Sequence, residues 1–130
     1  MADPQASETE FPPSILALTR DLMPLLLGGS GPNAGTLREQ YASSWIENVD
    51  VTRTGFYIDF ALPPDAPVAD PEAVHGGPSA EAVLTSPRLG DAGAILWFNR
   101  GRISSLELYA CDPWPPHLAV EIGIVTSFPG

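Results

Sequence analysis

The chain predicts an α+β fold: two N-terminal helices packed on one face of a mainly antiparallel sheet of five or six strands. Three observations predict it. Between Ile15 and Leu26 apolar residues recur at helical spacing. From Trp45 onward the period changes to two, as in strands with one face in a core. The clearest structure is Ala94–Ala110, where two apolar arms flank Asn99-Arg100-Gly101-Arg102; a glycine in a short polar gap between such arms signals a β-hairpin. Helices first and strands afterwards is the α+β pattern.

Taken in order, residues 1–11 are polar and acidic and read as a flexible N-terminal segment, with residues 12–130 a single domain. Pro12-Pro13-Ser14 sets up a helix start, with Ser14 as the N-cap. Ile15, Leu18, Leu22 and Leu26 then share a face, with Leu16 and Met23 beside them. Pro24 lies inside this pattern and lacks the N–H that bonds one turn back, so the helix is expected to kink or restart there. Gly28-Gly29 ends it. The glycine-rich stretch Gly28–Thr36 is a connection, not a phosphate loop, because no strand precedes it and no Lys follows its last glycine. A second short helix covers Thr36–Ser43, with Leu37, Tyr41 and Gln40 on one side.

The strands follow. Trp45, Val49 and Val51 alternate with Ile46, Asn48 and Asp50; Thr54-Gly55 reverses the chain; Phe56, Ile58, Phe60 and Leu62 alternate with Tyr57, Asp59 and Ala61. Pro63–Ser79 is too long and too rich in Pro, Asp and Gly for a tight turn, and is expected either to carry function or to move. Glu81–Thr85 forms a short strand. The Ala94–Phe98 arm, with no polar side chain, suits a strand buried on both faces at the sheet centre, and burial of its large side chains contributes roughly 2 kcal/mol each before entropy is subtracted. After the turn at Cys111–Pro116, a last strand has Leu118, Val120, Ile122 and Ile124 facing the core.

Composition excludes several functions. Hydrophobic residues make up 44% and charged residues 17%, which is globular. The net charge is -10, from 16 acidic and 6 basic residues, and every basic residue is Arg. A chain this acidic is a poor partner for nucleic acid or for an anionic membrane surface, and is suited to a basic protein. The lone Cys111 excludes an internal disulfide, and MADPQASETEF lacks the basic and apolar regions of a secretory signal. A cytoplasmic location is therefore expected.

With the even-numbered strand residues in the core, the opposite face carries Asp50, Tyr57, Asp59, Glu107, Tyr109 and Glu121, with Trp114 at its edge. Tyrosines give contact area and carboxylates orient a basic partner, so these seven residues are the candidate partner-binding set. Enzymatic arrangements are thin. Cys111 with His117 or His75 has the groups of a nucleophile and base but no nameable oxyanion donor. His75, Cys111, Asp112 and His117 match no metal-ligand spacing. Asp59 and Glu107 on adjacent strands have the groups of a glycosidase pair, as do acids on many ordinary sheets. No catalytic residue, metal or cofactor is assigned.

Thr54-Gly55-Phe56-Tyr57 before an alternating strand, the glycine-turn hairpin ending in Leu106-Glu107-Leu108-Tyr109, and Asp112-Pro113-Trp114-Pro115 together resemble a group of small uncharacterised bacterial proteins. The likeness covers about the last two-thirds of the chain in short motifs, and Asn99-Arg100-Gly101-Arg102 is more basic than that pattern. The resemblance implies a compact cytosolic α+β protein without established catalytic residues, of a kind encoded near toxin systems, where some act as immunity proteins. The expected function is therefore a non-enzymatic interaction module, most concretely an immunity-like protein that occludes a basic, nuclease-like toxin. The alternative is a small-ligand module, with a pocket between sheet and helices lined by Trp97, Phe60 and Tyr41 and gated by Pro63–Ser79. A spare sheet edge would serve a homodimer as readily as a heterocomplex.

Overall fold

A computed structural model describes residues 11–74 and 80–128. Helices α1 (Pro13–Leu26) and α2 (Pro32–Ser43) precede strands β1 (Trp45–Thr52), β2 (Gly55–Ala61), β3 (Ala80–Thr85), β4 (Ala92–Asn99), β5 (Arg102–Ala110) and β6 (Glu121–Thr126). The strands form one antiparallel sheet in the order β1-β2-β5-β4-β3-β6. The hairpin of β4 and β5 is thus the sheet centre, as its apolar content predicts. Both helices lie on one face: α1 packs over β3 and β6, and α2 over β5. Between the layers sit Ile15, Leu22 and Leu26 of α1, Leu37 of α2, and the even-numbered Phe56, Ile58, Leu84, Leu96, Leu106 and Leu108. The segment expected to be flexible lies outside the described residues except for Phe11, which packs against this core.

Several local expectations are corrected. Ser14 is not the N-cap: the cap position is Pro12, with Pro13 at the first helical position, where its missing N–H costs nothing. The Ser14 hydroxyl instead donates to the Pro116 carbonyl, tying α1 to the segment before β6. α1 runs unbroken through Pro24, whose place in the last turn leaves few bonds for it to disrupt. α2 begins at Pro32 rather than Thr36, again with proline at its start. Arg38 of α2 donates from Nη1 to the Leu27 and Gly29 carbonyls, 2.6 Å each, satisfying acceptors left open at the end of α1.

The first part of the long connection is docked, not loose. Arg100 (φ 50) and Gly101 (φ 80) form the two-residue β4–β5 turn, as a type I′ hairpin requires. Gly101 N–H donates to the Val74 carbonyl (2.7 Å), and Ala69 N–H to the Gly101 carbonyl (2.9 Å). Gln40, with no exposed surface, closes the junction. Its Nε2 donates to the Pro67 and Gly101 carbonyls (2.8 Å each), and its Oε1 accepts from Ile103 N–H (2.9 Å). Residues 75–79, His75 among them, lie outside the described residues.

Besides the shift between Trp97 and Phe98, which turns the odd-numbered Ile103 into the core, two bulges change which side chains face it. A register shift between Ile46 and Asn48 of β1 turns both Ile46 and Val49 toward the core, which is why simple alternation there is ambiguous. A second shift, where β6 passes Ala82–Leu84 of β3, brings Val125 opposite Ala82. Ile124, expected in the core, is therefore 77% exposed. Leu118 and Val120 precede β6 rather than belonging to it.

Candidate acidic interface on the open face of the sheet

The helices cover one face of the sheet, and among the described residues no element covers the other. The strand registers lay this open face out in rows. One row reads Asp50, Tyr57, Glu107, Ile95, Glu81 and Thr126 across β1, β2, β5, β4, β3 and β6. A row to one side holds Asn48, Asp59, Ser105 and Trp97; a row to the other holds Thr52, Gly55, Tyr109, Gly93 and Val83. Beyond that, Glu121 pairs with Thr85. No acid is paired directly with another acid, so like charges avoid the closest cross-strand positions. Among the described residues no ion pair neutralises Asp50, Asp59, Glu81 or Glu121. The arginines lie in the helices (Arg20, Arg38), in the strand-connecting segments (Arg53, Arg88, Arg100) or at the very start of β5 (Arg102).

Six of the seven residues expected to bind a partner, Asp50, Tyr57, Asp59, Glu107, Tyr109 and Glu121, thus share the open face. Trp114 does not. It is 2% exposed and packs edge-on against Phe56 with ring centroids 5.4 Å apart. Backbone bonds from Ala110 N–H to the Thr54 carbonyl and Trp114 N–H to the Arg53 carbonyl fold the Cys111–Pro116 turn under the first hairpin. The indole therefore enters the core, and its Nε1–H finds no acceptor there.

Trp97, expected inside, lies on the open face instead. The apolar β4 arm is buried on one side only, with Ile95 and Trp97 half-exposed on the other. Trp97 Nε1 donates to Glu107 Oε1 at 3.1 Å. The Tyr57 hydroxyl hydrogen-bonds to the same carboxylate; that bond, then the Glu107 charge, then slight desolvation hold the phenol above its ordinary pKa. Glu107 is consequently anchored between two aromatic donors and is less available to an incoming cation than sequence alone suggests.

A concavity also lies on this face. A groove of about 880 Å³ opens at the ends of β3 and β4, lined among others by Val83, Thr85, Asp91, Tyr109, Val120 and Glu121. Gly93 shapes it. A Cβ there would stand 2.4 Å from the Tyr109 hydroxyl and 2.6 Å from its Cζ, so the missing side chain lets the tyrosine ring lie across β4. Asp91, which precedes β4, lines the groove together with Glu121. Its signal was the odd-numbered parity it shares with Gly93 and Ile95.

Comparison with family models, with curated proteins and with solved structures finds no match. The site must be read from its own chemistry. The expected helix-side ligand pocket does not form as drawn: Trp97 is on the wrong face, and the cavity lined by Tyr41 and Phe60 measures about 220 Å³, below the ~300–1,000 Å³ of small-molecule sites. Cys111 is exposed in the turn after β5, and pairings with His75 fall outside the described residues. Among the described residues no three His, Cys, Asp or Glu side chains group as metal ligands would. No helix among them is long and apolar enough to cross a membrane.

Proposed function

We propose that the protein is a non-enzymatic interaction module whose open sheet face docks a basic protein surface, with neutralisation of a basic, nuclease-like toxin as its most concrete form. The observation that carries this reading is the sign of the open face. Asp50, Asp59, Glu81, Glu107 and Glu121 are spread over it around Tyr57, Trp97 and Tyr109, and the arginines stay at its ends or on the other layer. Aromatic residues supply contact area at small entropic cost, and carboxylates of one sign steer a cationic partner into register. In the toxin form the mechanism is occlusion. Asp50 and Asp59 pair with cations that would otherwise hold nucleic-acid phosphates, while Tyr57 and Trp97 pack over the same surface.

The test is capture with tagged protein, beside an Asp50→Lys, Asp59→Lys variant whose fold is checked by circular dichroism. The captured partner is then purified and its kinetics are measured against salt. A basic partner whose association slows with salt and slows further for the variant supports the reading. Equal association with a folded variant removes it. If the partner is a toxin, inhibition of its activity by wild type and not by the variant supports the immunity form.

A further inference from the structure

We propose that the groove beneath Tyr109 is the seat for an arginine side chain presented by the basic partner. The inference rests on the interaction reading above and narrows it to a place and a residue type. The groove combines features that suit an amphipathic cation. Val83, 49% exposed, and Val120 offer apolar surface for an aliphatic stem. Tyr109, 41% exposed, offers an aromatic ring held across β4 by the absence of a side chain at Gly93. Asp91 and Glu121 supply carboxylates, and no arginine of the chain lines the groove.

Charge complementarity selects a cation, and the ring selects arginine over lysine. A guanidinium is planar, stacks on an aromatic face, and reaches two acceptors at once, whereas an ammonium is a compact and strongly hydrated point charge. Neither groove acid is held by an aromatic donor as Glu107 is. At about 880 Å³ it holds more than one side chain, so the arginine would enter on a loop or extended segment, with flanking backbone lying along the β3–β6 surface.

The test uses a hexa-arginine peptide and a hexa-lysine peptide as probes of the full chain, followed by amide and tyrosine NMR shifts at moderate salt. Hexa-arginine is expected to shift Val83–Thr85, Asp91–Gly93, Glu121 and the Tyr109 ring. It should bind about two- to fivefold tighter than hexa-lysine, the margin of an exposed cation–π contact. Asp91→Asn with Glu121→Gln should weaken hexa-arginine, and Gly93→Ala, which displaces the Tyr109 ring, should erase the preference over lysine. Shifts confined to the Asp50 and Asp59 side, or equal binding of both peptides unaffected by these variants, would overturn the arginine seat while leaving the interaction reading intact. Absence of shifts anywhere would overturn the seat and count against a basic partner as well. Groove shifts with arginine selectivity alongside a failed capture would keep the seat and remove the wider reading.

Discussion

Replacing Gln40 by Met tests whether one buried amide holds the β4–β5 turn and the 63–74 segment against α2. Methionine keeps the volume and excludes water, so the cost is that of orphaned polar groups rather than of a cavity. Three bonds are lost, yet only two groups lose their sole protein partner. The Gly101 carbonyl still accepts from Ala69 N–H, whereas Ile103 N–H and the Pro67 carbonyl are left without one. At about 1–3 kcal/mol for each unsatisfied buried group, a destabilisation of about 2–6 kcal/mol is expected, read from urea unfolding by tryptophan fluorescence. Amide exchange at Ile103 should accelerate in parallel. Gln40→Glu is a sharper probe of geometry. It keeps the acceptor facing Ile103 N–H but sets a carboxylate against two carbonyl oxygens, which raises its pKa in the folded state. A raised folded pKa means the native state binds more protons, so this variant should regain stability as pH falls through that value. A Gln40→Met cost under about 0.5 kcal/mol would refute the argument, since it would mean that the orphaned groups find partners without the amide.

Other outcomes follow from single contacts. Tyr57 should titrate above 10.0, because its hydroxyl bonds to the Glu107 carboxylate. Glu107→Gln should bring that titration down, followed by tyrosinate absorbance. The sign is that of a raised folded pKa: what the bond contributes is present below pH 10 and is lost as pH rises through the folded value. Gly101→Ala combines a φ of +80° with a Cβ 2.2 Å from the Ala69 carbonyl oxygen, so a loss of at least about 2 kcal/mol is expected in the same urea assay. Trp114→Phe removes a buried indole N–H that has no acceptor. Relief of that orphan, about 1–3 kcal/mol, should offset most of the packing lost against Phe56 and leave stability within about 1 kcal/mol of wild type. Trp114→Ala should cost about 3–5 kcal/mol by thermal unfolding.

The sheet was legible wherever alternation ran undisturbed. Phe56 to Phe60 and Leu106 to Leu108 fix their own faces, and Tyr57, Asp59, Glu107 and Tyr109 on the open face follow from parity alone. It was illegible wherever a bulge adds a residue, because one extra residue exchanges the faces: hence Ile124 in solvent and Ile46 beside Val49 in the core. Trp97 and Trp114 were misassigned for a related reason. Hydrophobicity says that a large ring prefers burial, but not which layer covers it, and an uncovered sheet face leaves Trp97 half-exposed while a proline-rich turn carries Trp114 inside. The groove could not be read from the sequence, since it depends on Tyr109 lying over Gly93 of a neighbouring strand. That placement is a tertiary fact, with only the paired glycine as its trace.

The spacing of the acids bears on how the face would act. Asp50, Glu107 and Glu81 occupy β1, β5 and β3 of one row, with Tyr57 and Ile95 on the strands between. Alternate strands lie about 10 Å apart, which is about one Debye length at 0.1 M salt. The acids therefore repel one another weakly in the folded protein and add little strain to the sheet, and nothing in the fold requires them to share a sign. At lower ionic strength the same charges sum into one field over the whole face. A partner steered by that field should show association that slows steeply with salt while dissociation, governed by Tyr57, Trp97 and the groove, changes little. Dissociation that quickens with salt as strongly as association slows would instead place the binding energy in the ion pairs themselves, and the aromatic half of the face would then be bystander surface.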